Sequence, residues 1–226
     1  MARPLGCFAF PAIGQDITNH AIPIGGGPGF VGWKEAIPGA SGTVLTSRGA
    51  SLDPAFLAAS GGVSVNCVGD GVADDTACIQ AAITANPGGT LLFPCGTFKV
   101  SSTITLTVQG TGLVGTNRSC TLIRSTSATN TIISGSAQQV FIANMFIAGP
   151  ASTVMTAGQA INMSGAHGCR LTDLQIASVF NGVSLDNSTN CLAQFIKLYD
   201  IYGTFGLKSA NGCGDYIVNN KVDPLF

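Results

Sequence analysis

Three cysteines, Cys169, Cys191 and Cys213, recur at one fixed interval twice in succession, and each opens a short apolar stretch. A fixed period in the low twenties, with inward-reading positions returning in phase, points to a solenoid, in which each repeat buries its apolar face by stacking on the one before. Setting Cys169 over Cys191 places Leu171 over Ala193, Leu174 over Ile196 and Ile176 over Leu198. An earlier copy, Val140, Ile142, Met145 and Ile147, precedes these by a somewhat longer interval. The copy at Cys213 keeps Val218 but carries Asp215 and Asn220 at two apolar positions, so the pattern weakens there. A second ladder runs through Ala160–Met163, Gly182–Leu185 and Gly206–Ser209, its first step equal to the cysteine period and its second slightly longer. Short strands joined by Gly, Asn, Ser and Thr fit a coil of parallel strands better than helix pairs. A sandwich or barrel also gives many short strands, but neither requires one residue type to return in register. From residue 90 onward the period leaves room for about five turns.

The 226 residues suffice for one domain, or one domain with an appendage. Only 9% are charged and the formal net charge is -1, which gives no electrostatic footprint for nucleic acid or an anionic membrane. Mean hydropathy is positive at +0.40, yet no apolar run is long enough to span a bilayer, so the apolar excess is expected to meet other subunits. The apolar start at Leu5–Phe10 is broken by Pro4 and Pro11 with no cleavage pattern after it, so no secretion signal is read. Eight cysteines permit disulfides. The repeating trio is instead read as reduced thiols stacked as small buried hydrophobes, although strand spacing does not forbid a bridge. No CxxC or His cluster is present, His20 and His167 stand alone, and neither a metal nor a cofactor is expected.

Residues 1–60 read as an irregular arm. They hold six of the ten prolines, the Gly25-Gly26-Gly27 run and the only Trp, with little periodicity, so they would need a partner or neighbouring copies to hold them. Within the arm, Gly39–Phe56 resembles the G-x-V-L-x-S-x-G-x-x-x-D-P-x-aromatic stretch found near the starts of bacteriophage tail fibres and tail spikes; a plain loop with a short hairpin is the alternative.

The block Val63–Ile83, with its continuation Gly88–Val100 and Ser101–Ile104, resembles the opening segment of pectate-lyase-like right-handed parallel β-helix proteins, a superfamily of polysaccharide lyases, glycosidases and phage tail spikes. The resemblance implies an all-β, right-handed parallel β-helix over residues 61–226, with an N-terminal capping helix and an irregular arm, residues 1–60, before it. The residues support the helix independently. Asp74 or Asp75 can cap its start, Ile79, Ala82 and Ile83 form an apolar stripe, and Asn86-Pro87-Gly88-Gly89 stops it. Such a helix would close the open first turn of a solenoid. Asp70, Asp74, Asp75 and Thr76 are therefore read as a structural cap motif rather than an acid pair or calcium site.

Catalytic glycosidases of this architecture need carboxylates converging from neighbouring turns, and lyases need a base beside a charge-neutralising group. The candidates here are Arg170, Asp173, Asp186, Lys197, Asp200, Lys208 and Asp215. On the cysteine period Asp173 stacks near Phe195 and Ile217, Asp215 stacks near Leu171 and Ala193, and no two acids share a column. No catalytic residue is assigned. After Asp223–Phe226 no closing cap is evident.

The resemblance implies a tail-spike or tail-fibre-like virion protein, homotrimeric and made in the host cytoplasm. Residues 1–60 would dock onto other tail or baseplate proteins, and the β-helix would meet host-surface polysaccharide through Tyr199, Tyr202 and Phe205. The alternatives are a polysaccharide lyase or glycoside hydrolase, and a structural baseplate adaptor with no glycan affinity.

Overall fold

A computed structural model describes residues 62–223 and, before them, four short strands. The chain divides into two units, Met1–Ser60 and Gly61–Phe226. In the first, Ile22–Gly25 pairs antiparallel with Trp33–Ala36, and Thr43–Thr46 with Ala55–Ala58. The second pair begins in the stretch that resembles tail fibres and runs two residues past its end. The rest of the expected docking arm lies outside the described residues.

The second unit is a parallel β-solenoid of seven coils with one short helix. The first sheet stacks Val63–Ser64, Thr90–Phe93, Gly112–Gly115, the start of Phe141–Ala148, the start of Arg170–Val179, Leu192–Gln194 and Tyr216–Val218. The second sheet runs beside it from Asp70–Asp74 through Gly96–Val100, Thr121–Ser125, the ends of the two long strands and Lys197–Ile201 to Lys221–Val222. A third sheet holds Ile104–Leu106, Ile133–Gly135, Gln159–Asn162, Asn181–Ser184 and Leu207–Lys208. From Thr90 onward the first sheet has six strands rather than the five turns expected, because two of its coils, Leu91 to Leu113 and Leu171 to Ala193, are as short as the cysteine period.

Alternation sends every second side chain inward. Leu91, Leu113, Ile142, Leu171 and Ala193 therefore form one buried column, and Phe98, Ile123, Ile147, Ile176 and Leu198 a second. Ile104, Ile133, Ile161 and Val183 form the third. Burying each of the larger side chains contributes roughly 1.5–3 kcal/mol.

The bends between first and second sheets fall at Asn144, Asp173, Phe195 and Asn219, all with φ between 52° and 56°. This left-handed conformation suits Asn and Asp, whose short polar side chains bond locally. The stack corrects the cysteine-period alignment, because Asp173 lies in register with Asn219 and not with Ile217.

The reason is an insertion. Ala193 pairs with Ile217, a step slightly longer than the cysteine period, so Asp215 rather than Cys213 follows Cys169 and Cys191 in their column, and Cys213 is exposed. The expectation of reduced thiols fails as well. Cys169 and Cys191 are bridged, their Cα atoms 4.5 Å apart, and Cys67–Cys78 and Cys95–Cys120 form two further disulfides. Stacking brings equivalent positions to strand spacing, which is within bridging reach.

The polar replacements at the last coil fasten it to the coil before it, while Tyr216, Ile217 and Val218 stay exposed. The Asp215 carboxylate accepts the Cys191 N–H at 2.9 Å, and Asn220 accepts the Ile196 N–H at 2.8 Å while donating to the Ala193 carbonyl at 2.9 Å. At the other end, helix Thr76–Ala85 takes the third-sheet position of the first coil, with Ile79 and Ile83 buried against the core. The Gln80 amide donates to the Thr105 carbonyl and accepts the Thr105 N–H, pairing with the strand edge as a neighbouring peptide would.

Candidate glycan-binding face

The carboxylates of the expected cap motif take different partners. Asp74 accepts the N–H and hydroxyl of Thr76, the first helical residue, and the hydroxyl of Ser101. The Ser101 and Thr76 bonds hold its pKa down to about 2. Asp75 stands at the N-cap but makes no side-chain cap bond; its buried carboxylate turns back to accept the N–H groups of Val68 and Gly69. The reading of Asp75 as a helix cap is therefore corrected, because the returning 68–69 loop offers it two donors. Asp70 accepts the N–H groups of Val72 and Ala73, which lower its pKa.

Asp173, Asp186 and Asp215 are each engaged separately. Asp173 pairs with Arg118 at 2.8 Å and Asp186 with Lys208 at 2.7 Å. The Asp215 carboxylate also accepts the hydroxyls of Ser188 and Ser209, standing in register with the cysteines and not with Leu171 and Ala193 as the sequence period placed it. Burial raises the pKa of Asp186 and of Asp215, but hydrogen bonds outweigh it and both end below the ordinary carboxylate range. Arg170 is exposed on the first sheet and Asp200 occupies a left-handed bend. His167 pairs through Nδ1 with Thr189. Among the described residues no three His, Cys, Asp or Glu side chains gather as metal ligands would.

The aromatic residues are better placed. On the outer face of the second sheet, one row reads Arg124, Ala148, Ala177, Tyr199, and the adjacent row Leu122, Phe146, Gln175, Lys197. Phe146 and Tyr199 belong to coils two steps apart, about 9.6 Å along the axis, yet their ring centroids lie 6.4 Å apart at 34°. The Tyr199 ring thus leans back over the recess left by the small Ala177. Gln175 Nε2 donates to its hydroxyl at 2.6 Å, and Lys197 Nζ lies 5.2 Å from its centroid. Two tilted rings beside an amide and a cation can stack on the apolar face of a sugar while polar groups meet its hydroxyls.

Tyr202 follows the end of the Lys197–Ile201 strand, in a cleft of about 250 Å³ formed with the 150–154 loop and Ser178. Phe205 is set apart, at the approach to the third sheet, with Lys208 Nζ 5.6 Å from its ring. The three aromatics thus occupy separate places: Tyr199 on the sheet face, Tyr202 in the cleft past the strand end, and Phe205 nearer the third sheet. Sequence reasoning missed Phe146 and Gln175. Their outward register, offset from the buried Ile147 and Ile176 columns by one residue, was the available signal.

A family model for rhamnogalacturonase A/epimerase, pectate lyase-like proteins matches residues 63–217. No curated protein matches the sequence. Among solved structures, ORF18 of Geobacillus virus E2 is 23% identical with a TM-score of 0.52, the match covering 71% of this chain and 41% of that one. The pre-mature gene product 12 of bacteriophage phi29 is 19% identical with a TM-score of 0.49, over 69% of this chain and 27% of the other. A putative glycosyl hydrolase from Parabacteroides merdae is 14% identical with a TM-score of 0.48, over 71% and 95%. The chain thus spans less than half the length of the two viral proteins. With coils, buried columns and capping helix all lying within or beside the matched segment, the chain belongs to the rhamnogalacturonase A/epimerase, pectate lyase-like family.

Proposed function

We propose that the protein is a tail-spike or tail-fibre-type virion component whose solenoid recognises host-surface polysaccharide. The observation that carries this reading is the Phe146–Tyr199 platform with Gln175 and Lys197. The Gly39–Phe56 stretch and the fold shared with a viral protein support the virion assignment, in which residues 1–60 dock onto other tail or baseplate proteins of a homotrimer. Virion surfaces also tolerate disulfides such as the three in this solenoid.

A hydrolase's general acid working near neutral pH needs a raised pKa, whereas Asp70, Asp74, Asp186 and Asp215 are held down by hydrogen bonds, so none of these four suits that role. Family membership favours a second reading, a polysaccharide lyase or hydrolase, and an adaptor with no glycan affinity is the third. Incubating the protein with purified capsular and lipopolysaccharide glycans of the host separates the three. Binding that Tyr199→Ala weakens about tenfold, equivalent to about 1.4 kcal/mol, without chain shortening supports recognition. Shortened glycan chains support the enzyme, and no binding supports the adaptor.

A further inference from the structure

Beside the capping helix lies a second cleft, of about 420 Å³, lined by Asp74, Gln80 and the hydroxyl-bearing Thr76, Ser101, Ser102, Thr103 and Thr105. This volume is within the range of small-ligand sites. What distinguishes it is the state of its hydrogen-bonding groups. Thr76 Oγ1 donates to Asp74 Oδ1 at 2.5 Å, and the Ser101 hydroxyl donates to Asp74 Oδ2. Thr103 donates to the Thr131 carbonyl at 2.7 Å, and Thr105 to Gln80 Oε1 at 3.1 Å. Each hydroxyl has one proton, so these four are already engaged as donors; Thr76 Oγ1 also accepts the Ser101 N–H at 2.9 Å, and the other three offer lone pairs.

Asp74 adds to this. A carboxylate offers about four acceptor positions, and three here are taken by Thr76 N, Thr76 Oγ1 and Ser101 Oγ. The wall therefore offers more acceptors than donors, its side-chain donors being the second Gln80 Nε2 hydrogen and the Ser102 hydroxyl, carries one negative charge, and includes no Lys or Arg. A carboxylate or sulfate would meet repulsion there, whereas a compound with several adjacent O–H donors would find partners.

We propose that this cleft is a second saccharide site, taking a neutral sugar residue through its adjacent hydroxyls. It lies four coils from Tyr199, about 19 Å at strand spacing, and its occupancy does not depend on the aromatic platform.

The test is two-dimensional amide NMR of the full chain with glucose, galactose, mannose, rhamnose and N-acetylglucosamine, each at about 10 mM, suited to millimolar affinity. Glucuronate and glucosamine serve as charged counterparts. The expected result is movement of the Ser101–Thr105 amide resonances with at least one neutral sugar, and at least tenfold weaker response to glucuronate. Ser102 makes no hydroxyl hydrogen bond among the described residues, so Ser102→Trp should fill the cleft and abolish the response, with the remaining spectrum and the response at Tyr199 unchanged. Ser102→Gln replaces that variant if the Trp variant does not fold. No response to any neutral sugar, an equal response to glucuronate, a response to glucosamine alone, or a response that survives the filled cleft overturns the proposal. Loss of the Tyr199 response alone counts against the function proposed above and leaves this site standing.

Discussion

Replacing Asp215 with Ala should loosen the last coil by an amount that can be worked from its contacts. The N–H of the fully buried Cys191 is accepted by Asp215 Oδ1 at 2.9 Å. The Ser188 proton can turn to the Leu185 carbonyl 2.6 Å away, and the Ser209 hydroxyl is exposed, so the principal loss is one charge-assisted bond and one orphaned buried donor. Such a change costs roughly 2 kcal/mol, which corresponds to about a 30-fold rise in local opening. Hydrogen exchange at the Cys191 amide reads that opening directly, because solenoids fray coil by coil. Asp215→Asn retains one acceptor and should produce less than half the effect in free-energy terms. Because hydrogen bonds hold the folded Asp215 pKa below its unfolded value, its contribution is complete above the ordinary carboxylate range. Protection at Cys191 should therefore persist from neutral pH to about 4 and decline as the pH falls further. Exchange in the Ala variant within about threefold of the parent, a difference of under about 1 kcal/mol, would refute the view that Asp215 fastens the last coil.

Asp75→Ala leaves the Val68 and Gly69 N–H groups without their acceptor and should cost about 2–4 kcal/mol in urea unfolding, whereas Asp74→Asn at its exposed position should cost under about 1 kcal/mol. Equal costs would contradict the roles assigned to the two carboxylates. Phe195 occupies a left-handed bend that its counterparts fill with Asn or Asp, and it is 50% exposed. Phe195→Asn should therefore raise stability by about 0.5–1 kcal/mol, and a fall in the melting temperature would count against the corner argument. Alkylation of the unreduced, denatured protein followed by peptide mapping should recover Cys67–Cys78, Cys95–Cys120 and Cys169–Cys191 as linked peptides, with Cys213 labelled. Labelled Cys169 or Cys191 would restore the reduced-thiol reading.

The coil was legible because inward residues must repeat: Leu171 over Ala193, Ile176 over Leu198 and Ile161 over Val183 all stand in the register that the sequence period gives. The capping helix was legible for a similar reason, with Ile79 and Ile83 on one face. The last coil misled because Cys213 preserves the cysteine spacing while the backbone pairing advances slightly further, a shift visible only once Asp215 is seen bonding to Cys191. Asp75 was misassigned because its donors, Val68 and Gly69, reach it from a loop folding back on the helix start. The aromatic platform was half legible. Tyr199 was named, but Phe146 lies two coils earlier in the chain and meets it only because the ring tilts across them.

The coils differ in length mainly where the chain passes from the second sheet to the third. Ten residues separate Ala148 from Gln159, whereas Phe180 alone separates Val179 from Asn181. The buried columns on either side keep their register through both crossings. Where a long crossing adjoins a short one, the overhang leaves the Tyr202 cleft. Residues can thus be inserted or removed at this corner without disturbing the packing that holds the coil together. The shape presented to a ligand can change one coil at a time, with the stability of the shaft and the chemistry of its surface free to evolve separately.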